Sequence, residues 1–339
     1  MAFKSFSQIK GQERAIRFLK RVIAGGKIPH AYLFTGIPGV GKTTTALALA
    51  QVLNCREPLN EEGCGGCRSC RQIVNGHSPD LVSIKPDNQN IKIDQIRELN
   101  RKLCFKPVTG PYRVSIIHNA ETMTDEAANA FLKTLEEPPQ GNVLVLKVTE
   151  PLDLLGTIVS RCQKIPFRPL TSTVIKELLM AEMQVDEENA LLLANISEGS
   201  LGQAIDMWES DFLQEREDAI SRLIQLPTIS AEEALDMALE YTGKAKKAET
   251  GEKGKVLFDL FGLWKSWLRD LIVAKTGWTD TLLNFDFSRK IKKAAPHLNT
   301  ENLIFGFFLL DQAQKELRGT RNLDLMMENL VLNLKKRLF

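Results

Sequence analysis

Apolar positions over residues 1–169 fall in short runs separated by stretches of helical spacing, the pattern of a parallel sheet wrapped by helices. Residues 31–34 (AYLF), 81–84 (LVSI), 113–117 (RVSII), 143–148 (VLVLKV) and 163–167 (QKIPF) predict five strands. Residues 42–53, rich in Ala and Leu, predict a helix. So do residues 91–105, where Ile93, Ile96, Leu99 and Leu103 recur every three or four positions. A third helix over 124–137 must end at Pro138 and Pro139, because proline lacks the amide proton and clashes with the preceding turn. After Pro169 the alternation stops. Residues 171–207 read as a small helical unit ending in the turn EGSLG at 198–202, and 210–339 is helical in pattern throughout. The break at 241–255 (YTGKAKKAETGEKGK) is rich in Lys, Glu and Gly, and predicts a mobile loop or a frayed helix end. The pattern therefore divides the chain into an α/β domain over 1–169, a small helical domain over 170–209 and an all-α domain over 210–339.

Composition narrows the class without changing this division. With 43% hydrophobic and 25% charged residues in 339, the chain has the profile of a soluble globular protein of two or three domains. Its formal net charge of +2 gives no electrostatic case for autonomous nucleic-acid binding. Lys290, Lys292 and Lys293 form either a local contact point or a solvated helix face. The N-terminal residues carry no apolar segment of a secretory signal, and no stretch approaches the ~18 uninterrupted apolar residues of a membrane span. A cytoplasmic protein with no membrane partner is expected.

Residues 36–43 (GIPGVGKT) match the phosphate-binding pattern G-x-x-x-x-G-K-[ST] in full. Gly36, Gly39 and Gly41 let consecutive backbone N–H groups turn around phosphate oxygens. Lys42 would reach the β- and γ-phosphates, and Thr43 would ligate Mg²⁺. Thr44 completes the start of a helix whose dipole faces the same anion. The pattern sits between an expected strand and an expected helix, the context that separates it from a chance Gly-rich turn.

Four of the six cysteines, Cys55, Cys64, Cys67 and Cys70, lie together in the segment 55–70. Such bunching in a reducing compartment points to metal ligation before disulfides, and Zn²⁺ suits four thiolates in a closed, structural site. Cys64-Gly65-Gly66-Cys67 supplies a flexible turn, and His77 is an alternative ligand to Cys55. Free thiols in a surface loop are the plainer alternative. Cys104 and Cys162 stand apart and are expected to be buried thiols.

The hydrolytic half of the site looks different. In phosphate-loop ATPases an acidic residue at the end of a later strand helps to hold Mg²⁺, and a carboxylate nearby often polarises water. Here the strand at 113–117 runs into His118-Asn119-Ala120-Glu121. Asn119 cannot accept a proton from water, and an imidazole lacks the hard anionic oxygen that Mg²⁺ prefers. Glu121 is the carboxylate close by, displaced past the strand end.

Taken together, residues 5–205 at least resemble the bacterial replicative clamp-loader family of AAA+ proteins. The resemblance rests on Gly11-Gln12, PHAYLF at 29–34 leading into the phosphate loop, the four-cysteine insertion, NAFLKTLEEPP at 129–139 and SRCQ at 160–163. It implies an AAA+ domain with a parallel five-stranded sheet, a helical lid, and a helical collar that assembles a five-membered ring. It also implies that Arg161, in the Ser-Arg-Cys triplet, reaches across an interface as an arginine finger into a neighbour's ATP site. Thr149 matches the family's sensor position near the γ-phosphate. Implied partners are the motor subunits gamma/tau and delta in the ring, with the sliding clamp and primer-template DNA engaged through the complex.

Two departures from the motor subunits matter. They carry an Asp-Glu pair where this chain has His118-Asn119, and a sensor arginine in a Gly-Ser-x-Arg turn where this chain has Gly202. The expectation is a stationary ring member that holds ATP or ADP with Mg²⁺, does not hydrolyse it, and completes a neighbour's active site. A working gamma/tau-type ATPase is the alternative, although such chains extend past the collar whereas this one stops at Phe339. A nucleic-acid module built on the cysteine cluster is a third reading. Near-neutral charge and few aromatics near the cluster argue against it.

Overall fold

The computed structural model describes residues 5–247, 253–278, 281–317 and 322–338. The chain forms two compact units, Met1–Ile205 and Asp206–Phe339.

The first unit is built on five strands, β1 (Ala31–Thr35), β2 (Leu81–Ile84), β3 (Arg113–Ile117), β4 (Asn142–Val148) and β5 (Gln163–Pro166), in the order β2-β3-β4-β1-β5. All neighbours run parallel. Parallel sheets bury both faces, and the strands divide accordingly. Tyr32, Phe34, Val143 and Val145 pack on one side with Leu19 of α1 (Glu13–Ala24) and Leu49 of α2 (Lys42–Asn54). Leu33, Leu144 and Leu146 pack on the other with Leu99 of α4 (Ile93–Leu103) and Phe131 of α5 (Asp125–Glu136). This is the α/β architecture with a parallel five-stranded sheet that was expected, and the five strands lie within a residue or two of their sequence positions.

Three helices of this unit lie outside the sequence-based expectation: α1, α3 (Arg68–Val74) and α6 (Gly156–Val159). The first is amphipathic, burying Ala15, Ile16 and Leu19 at helical spacing among charged neighbours, whereas the other two span only seven and four residues. Residues 172–209 fold as α7 (Ser172–Met183), α8 (Glu187–Ile196) and α9 (Leu201–Glu209). The side chains of Thr171 and Asp186 cap the first two by accepting backbone N–H bonds. Gly199 turns the chain into α9 at φ 87°, where a Cβ would lie 2.5 Å from Pro169.

The second unit is helical: α10 (Phe212–Gln225), α11 (Ala231–Lys247), α12 (Lys253–Lys275), α13 (Ser288–Ala294), α14 (Thr300–Glu316) and α15 (Leu323–Leu338). The expected break at 241–255 is smaller than its composition suggested. Helix continues to Lys247 and resumes at Lys253, and 248–252 lie outside the described residues. Trp264 and Trp267 sit at the core, and the Trp264 indole N–H donates to the Ala219 carbonyl at 3.0 Å. Among the described residues no helix is long and apolar enough to cross a membrane.

One polar network crosses this core. The Arg216 guanidinium, 2% exposed, donates to both carboxylate oxygens of Asp286 (2.7 and 2.9 Å) and to Asn284 Oδ1 (2.7 Å). Asn284 in turn donates to the fully buried Asp270 carboxylate from its backbone (2.7 Å) and its side-chain amide (2.8 Å). Removing one partner of a buried pair leaves an uncompensated charge and costs about 3–5 kcal/mol. Arg216→Ala should therefore lower the stability of the second unit by that amount in urea titrations. A loss below about 1 kcal/mol, the value of an exposed pair, would contradict this reading of the network.

Candidate functional site

The phosphate loop follows β1, in the crevice at the carboxyl edge of the sheet where open α/β folds take their ligands. Gly36, Gly39 and Gly41 all have positive φ (134°, 78° and 101°). At Gly36 a Cβ would meet the Phe167 carbonyl oxygen at 2.4 Å, so both conformation and space require glycine. Gly41 is the N-cap of α2, whose first residues are Lys42, Thr43 and Thr44. A cavity of about 340 Å³ opens over this helix start. Thr44, Thr149, Glu121 and Asn119 line it, with Leu178 and Leu201 of the small helical region and Val74 of α3 on its apolar walls. Thr149 also anchors the loop, its carbonyl accepting the Gly36 N–H at 3.0 Å.

Two cations of the crevice are already engaged within the protein. Lys42 folds back on its own loop and donates to the carbonyls of Gly36 and Ile37. Burial pulls its ammonium below the usual lysine range, with Glu121 acting in the opposite direction. A second lysine, which motif reasoning passed over, lies beside it. Lys147 interrupts the otherwise buried strand β4, and its ammonium donates to Thr43 Oγ1 and, at 2.9 Å, to His118 Nδ1. His118 Nε2 then carries the proton in its 3.0 Å bond to Ser83 Oγ. Ile117 pairs with Leu146 across β3 and β4, which places the next residues, His118 and Lys147, side by side. Burial, then the charge of Lys147, holds His118 at about 4, so its ring is neutral near pH 7. Burial, then Lys42, lowers Lys147 to about 8. A lone Lys in a β-branched central strand was the sequence signal for this arrangement.

These donors suit a triphosphate but not Mg²⁺. The hydroxyl that would ligate the ion receives a lysine proton, and the strand-end position holds a neutral imidazole. A divalent ion ~4 Å from an ammonium is opposed by roughly 8 kcal/mol at an effective dielectric of 20. Mg²⁺ prefers carboxylate and phosphate oxygens, and Glu121 is the sole carboxylate among the described lining residues. Its Oε2 is buried without a hydrogen-bond partner among them. Asn119 adopts a left-handed backbone (φ 50°), which asparagine tolerates better than most residues.

Gly202, where the resemblance led to the expectation of a lost sensor arginine, touches the phosphate loop directly. Its N–H donates to the Gly39 carbonyl at 3.0 Å, and a Cβ here would come within 2.8 Å of Gly39 Cα. No side chain fits at 202 while this contact persists.

Arg161 is outside this cavity's lining. It follows α6, and its guanidinium donates to Glu136 Oε1 (2.6 Å) and the Thr157 carbonyl (2.9 Å) while remaining 35% exposed. The partner Glu136 belongs to the TLEEPP run at the end of α5.

The four cysteines converge: the Sγ atoms of Cys55, Cys64, Cys67 and Cys70 all lie within 4.8 Å of one another. Cys64 and Cys70 are 4.0 Å apart, close to the ~3.8 Å edge of a tetrahedron with Zn–S bonds of ~2.3 Å. Backbone N–H groups of Cys64, Cys67 and Cys70 point at the sulfurs of Cys55, Cys64 and Cys67 (3.2, 3.3 and 3.5 Å), bonds that favour thiolates. The donor set fits Zn²⁺. The cluster is half helix rather than all loop, since Cys67 caps α3 and Cys70 lies within it. His77 is not among the converging groups. The expectation of two buried lone thiols holds only in part: Cys162 is half-buried and Cys104 exposed.

Comparison with known proteins identifies the family. The family model described as "DNA polymerase III, delta subunit" matches residues 11–171. DNA polymerase III subunit delta' of Bacillus subtilis (strain 168) is 31% identical over 329 residues, covering 96% of each chain. DNA polymerase III subunit tau of the same organism is 35% identical over 207 residues, which is 60% of this chain but 37% of tau. Tau of Escherichia coli (strain K12) is 36% identical over 209 residues, 32% of its length. The chain thus belongs to the family of the DNA polymerase III delta' subunit, a clamp-loader family related to tau and gamma.

Proposed function

We propose that this chain is the stationary member of a clamp-loader ring, which holds nucleotide without hydrolysing it and completes a neighbour's ATP site with Arg161. The reading divides the chain into an AAA+ domain (1–169), a lid (170–209) and a collar (210–339) that joins gamma/tau and delta in a hetero-pentameric, cytoplasmic complex. Sliding clamp and primer-template DNA are engaged through that complex. The observation that carries the non-hydrolytic part is the Lys147–His118 pair on Thr43, where a motor would place carboxylates and metal. With a neutral ring engaged on both nitrogens and an amide at 119, neither of these two strand-end groups is free to take a proton from water, and Glu121, the carboxylate of the lining, is displaced past the strand end. The trans role is supported by a guanidinium that stays out of its own cavity and partly exposed, held by one surface carboxylate. A planar five-donor group at a rim suits a phosphoryl group on another chain.

Steady-state ATP turnover by the isolated chain, with sliding clamp and primed DNA added, is the direct test of inertness. Background turnover is expected. Robust turnover abolished by Lys42→Ala would instead make this a gamma/tau-type motor. Lys42→Ala should also weaken nucleotide binding about 10- to 150-fold, the equivalent of one charge-assisted hydrogen bond of roughly 1.5–3 kcal/mol. Titration calorimetry with ADP measures it, and an unchanged affinity would remove Lys42 from the site.

A further inference from the structure

Lys147 is the feature of the crevice that the proposed function does not by itself explain. A charged residue in a central parallel strand has to be desolvated, and β4 is apolar at every other buried position from Val143 to Val148. The ammonium has three donors. Two are committed within the protein, one to Thr43 Oγ1 and one to His118 Nδ1. The third is left for an oxygen in the cavity. Thr43 is the hydroxyl at which a phosphate-loop protein of the usual kind would hold its magnesium. His118 follows the strand that would supply the acidic partner, and it faces the lysine as an acceptor. Both groups that would serve a metal are therefore turned to serve an ammonium.

We propose that Lys147 is the built-in counter-ion of this phosphate site, so that a nucleoside di- or triphosphate binds here without magnesium. The proposal rests on the reading of the crevice as a nucleotide site. The charges agree with it. Lys42 and Lys147 flank the start of α2, while Glu121, the carboxylate of the lining, is close enough to act on both lysines. An incoming phosphate chain meets two ammonium groups and a helix N-terminus, with the second ammonium standing where a metal otherwise supplies the charge beside the lysine. The ammonium is a permanent part of β4 and so cannot follow a transferring phosphoryl group as a mobile metal does. A site of this kind retains nucleotide and is unsuited to turning it over.

The experiment measures binding of ADP and ATP to the full-length chain by displacement of a fluorescent ADP analogue, with and without added magnesium. Magnesium is removed by resin treatment of buffers and nucleotide, not by chelator, so that metal held by the cysteines is left in place. Affinities with and without magnesium should agree within about twofold. Lys147→Met should lose at least tenfold in magnesium-free buffer and regain most of it when magnesium is added, because Thr43 is then released. A wild-type affinity that falls tenfold or more without magnesium overturns the proposal, whatever the variant does, and leaves the nucleotide site intact. Failure to bind in either buffer overturns the proposal and the nucleotide-holding part of the function together, while the role of Arg161 is tested separately. A Lys147→Met chain that binds like wild type in magnesium-free buffer also overturns it, and circular dichroism establishes that the variant is folded.

Discussion

Replacing Arg161 by alanine is expected to lower ATP turnover at the neighbouring site by about 10³-fold or more, the usual range for a finger supplied in trans. Bulk turnover of the assembled complex should fall only by the share carried by that one site, so single-turnover measurements report the effect most cleanly. Clamp loading should fall with it. The isolated chain should hardly notice: Arg161 is tied to Glu136 by an exposed pair, and such pairs contribute roughly 0–1 kcal/mol. Folding and assembly should therefore survive the substitution. Arg161→Lys should not rescue turnover, because a point charge cannot reproduce the planar fork of a guanidinium. Full turnover by the alanine variant would reduce Arg161 to a surface charge. The bond to Glu136 has a consequence of its own. The arginine is held on Glu136 and the Thr157 carbonyl, so the proposed trans role requires it to exchange these acceptors for a phosphate.

The second large effect concerns the cysteines. Metal analysis of the reduced protein should find about one zinc per chain, and Cys67→Ser should release it. Structural zinc contributes on the order of 10–16 kcal/mol of apparent binding energy in small peptides, which here supports a local element and not a whole domain. Cys67 caps α3 and accepts the Cys70 N–H, a cap that serine retains, so loss of the metal removes the crosslink that holds a seven-residue helix in place. That helix carries the buried Ile73 into the core and Val74 to the cavity wall. Hydrogen exchange should accelerate over residues 55–75 and leave the sheet protected. The metal should also be released in acid. Burial pushes the Cys55 and Cys70 thiols up. At Cys67 burial opposes ionisation, but backbone N–H groups of Arg56 and Cys70 outweigh it and hold the thiol at about 6. Zinc holds its sulfurs as thiolates, so protons compete with the metal for them and zinc affinity falls as pH falls. Purified reduced protein without metal would end this assignment.

Much of this arrangement is legible in the chain itself, for identifiable reasons. Strands β1, β3 and β4 are buried on both faces, so they appear as mostly apolar runs, interrupted inside only by Ser115 and Lys147. The phosphate loop is local in sequence, and its glycines are dictated by backbone φ and by the Phe167 carbonyl, constraints that leave one residue type. The cysteines were legible by spacing, although the helix between them was not, because seven residues carry too little periodicity to register. The functional centre of β4 was harder. Lys147 was read as part of VLVLKV, and its meaning depends on Thr43 and His118, which lie 104 and 29 residues away. His118 was recognised as the wrong group for magnesium, but not as the acceptor for another cation. The absence of an arginine at Gly202 was visible, whereas its cause was not: backbone meets backbone there, at Gly39. The second unit yielded only its helicity, since its defining network joins Arg216, Asp270, Asn284 and Asp286 across distant segments.

The most direct measurement of the central claim is a cryo-EM map of the assembled ring with a non-hydrolysable ATP analogue. The account predicts the Arg161 guanidinium within hydrogen-bond distance, about 3 Å, of the γ-phosphate bound to the adjoining motor subunit, with Glu136 released. A guanidinium still on Glu136, or turned to solvent far from every bound nucleotide, would contradict it.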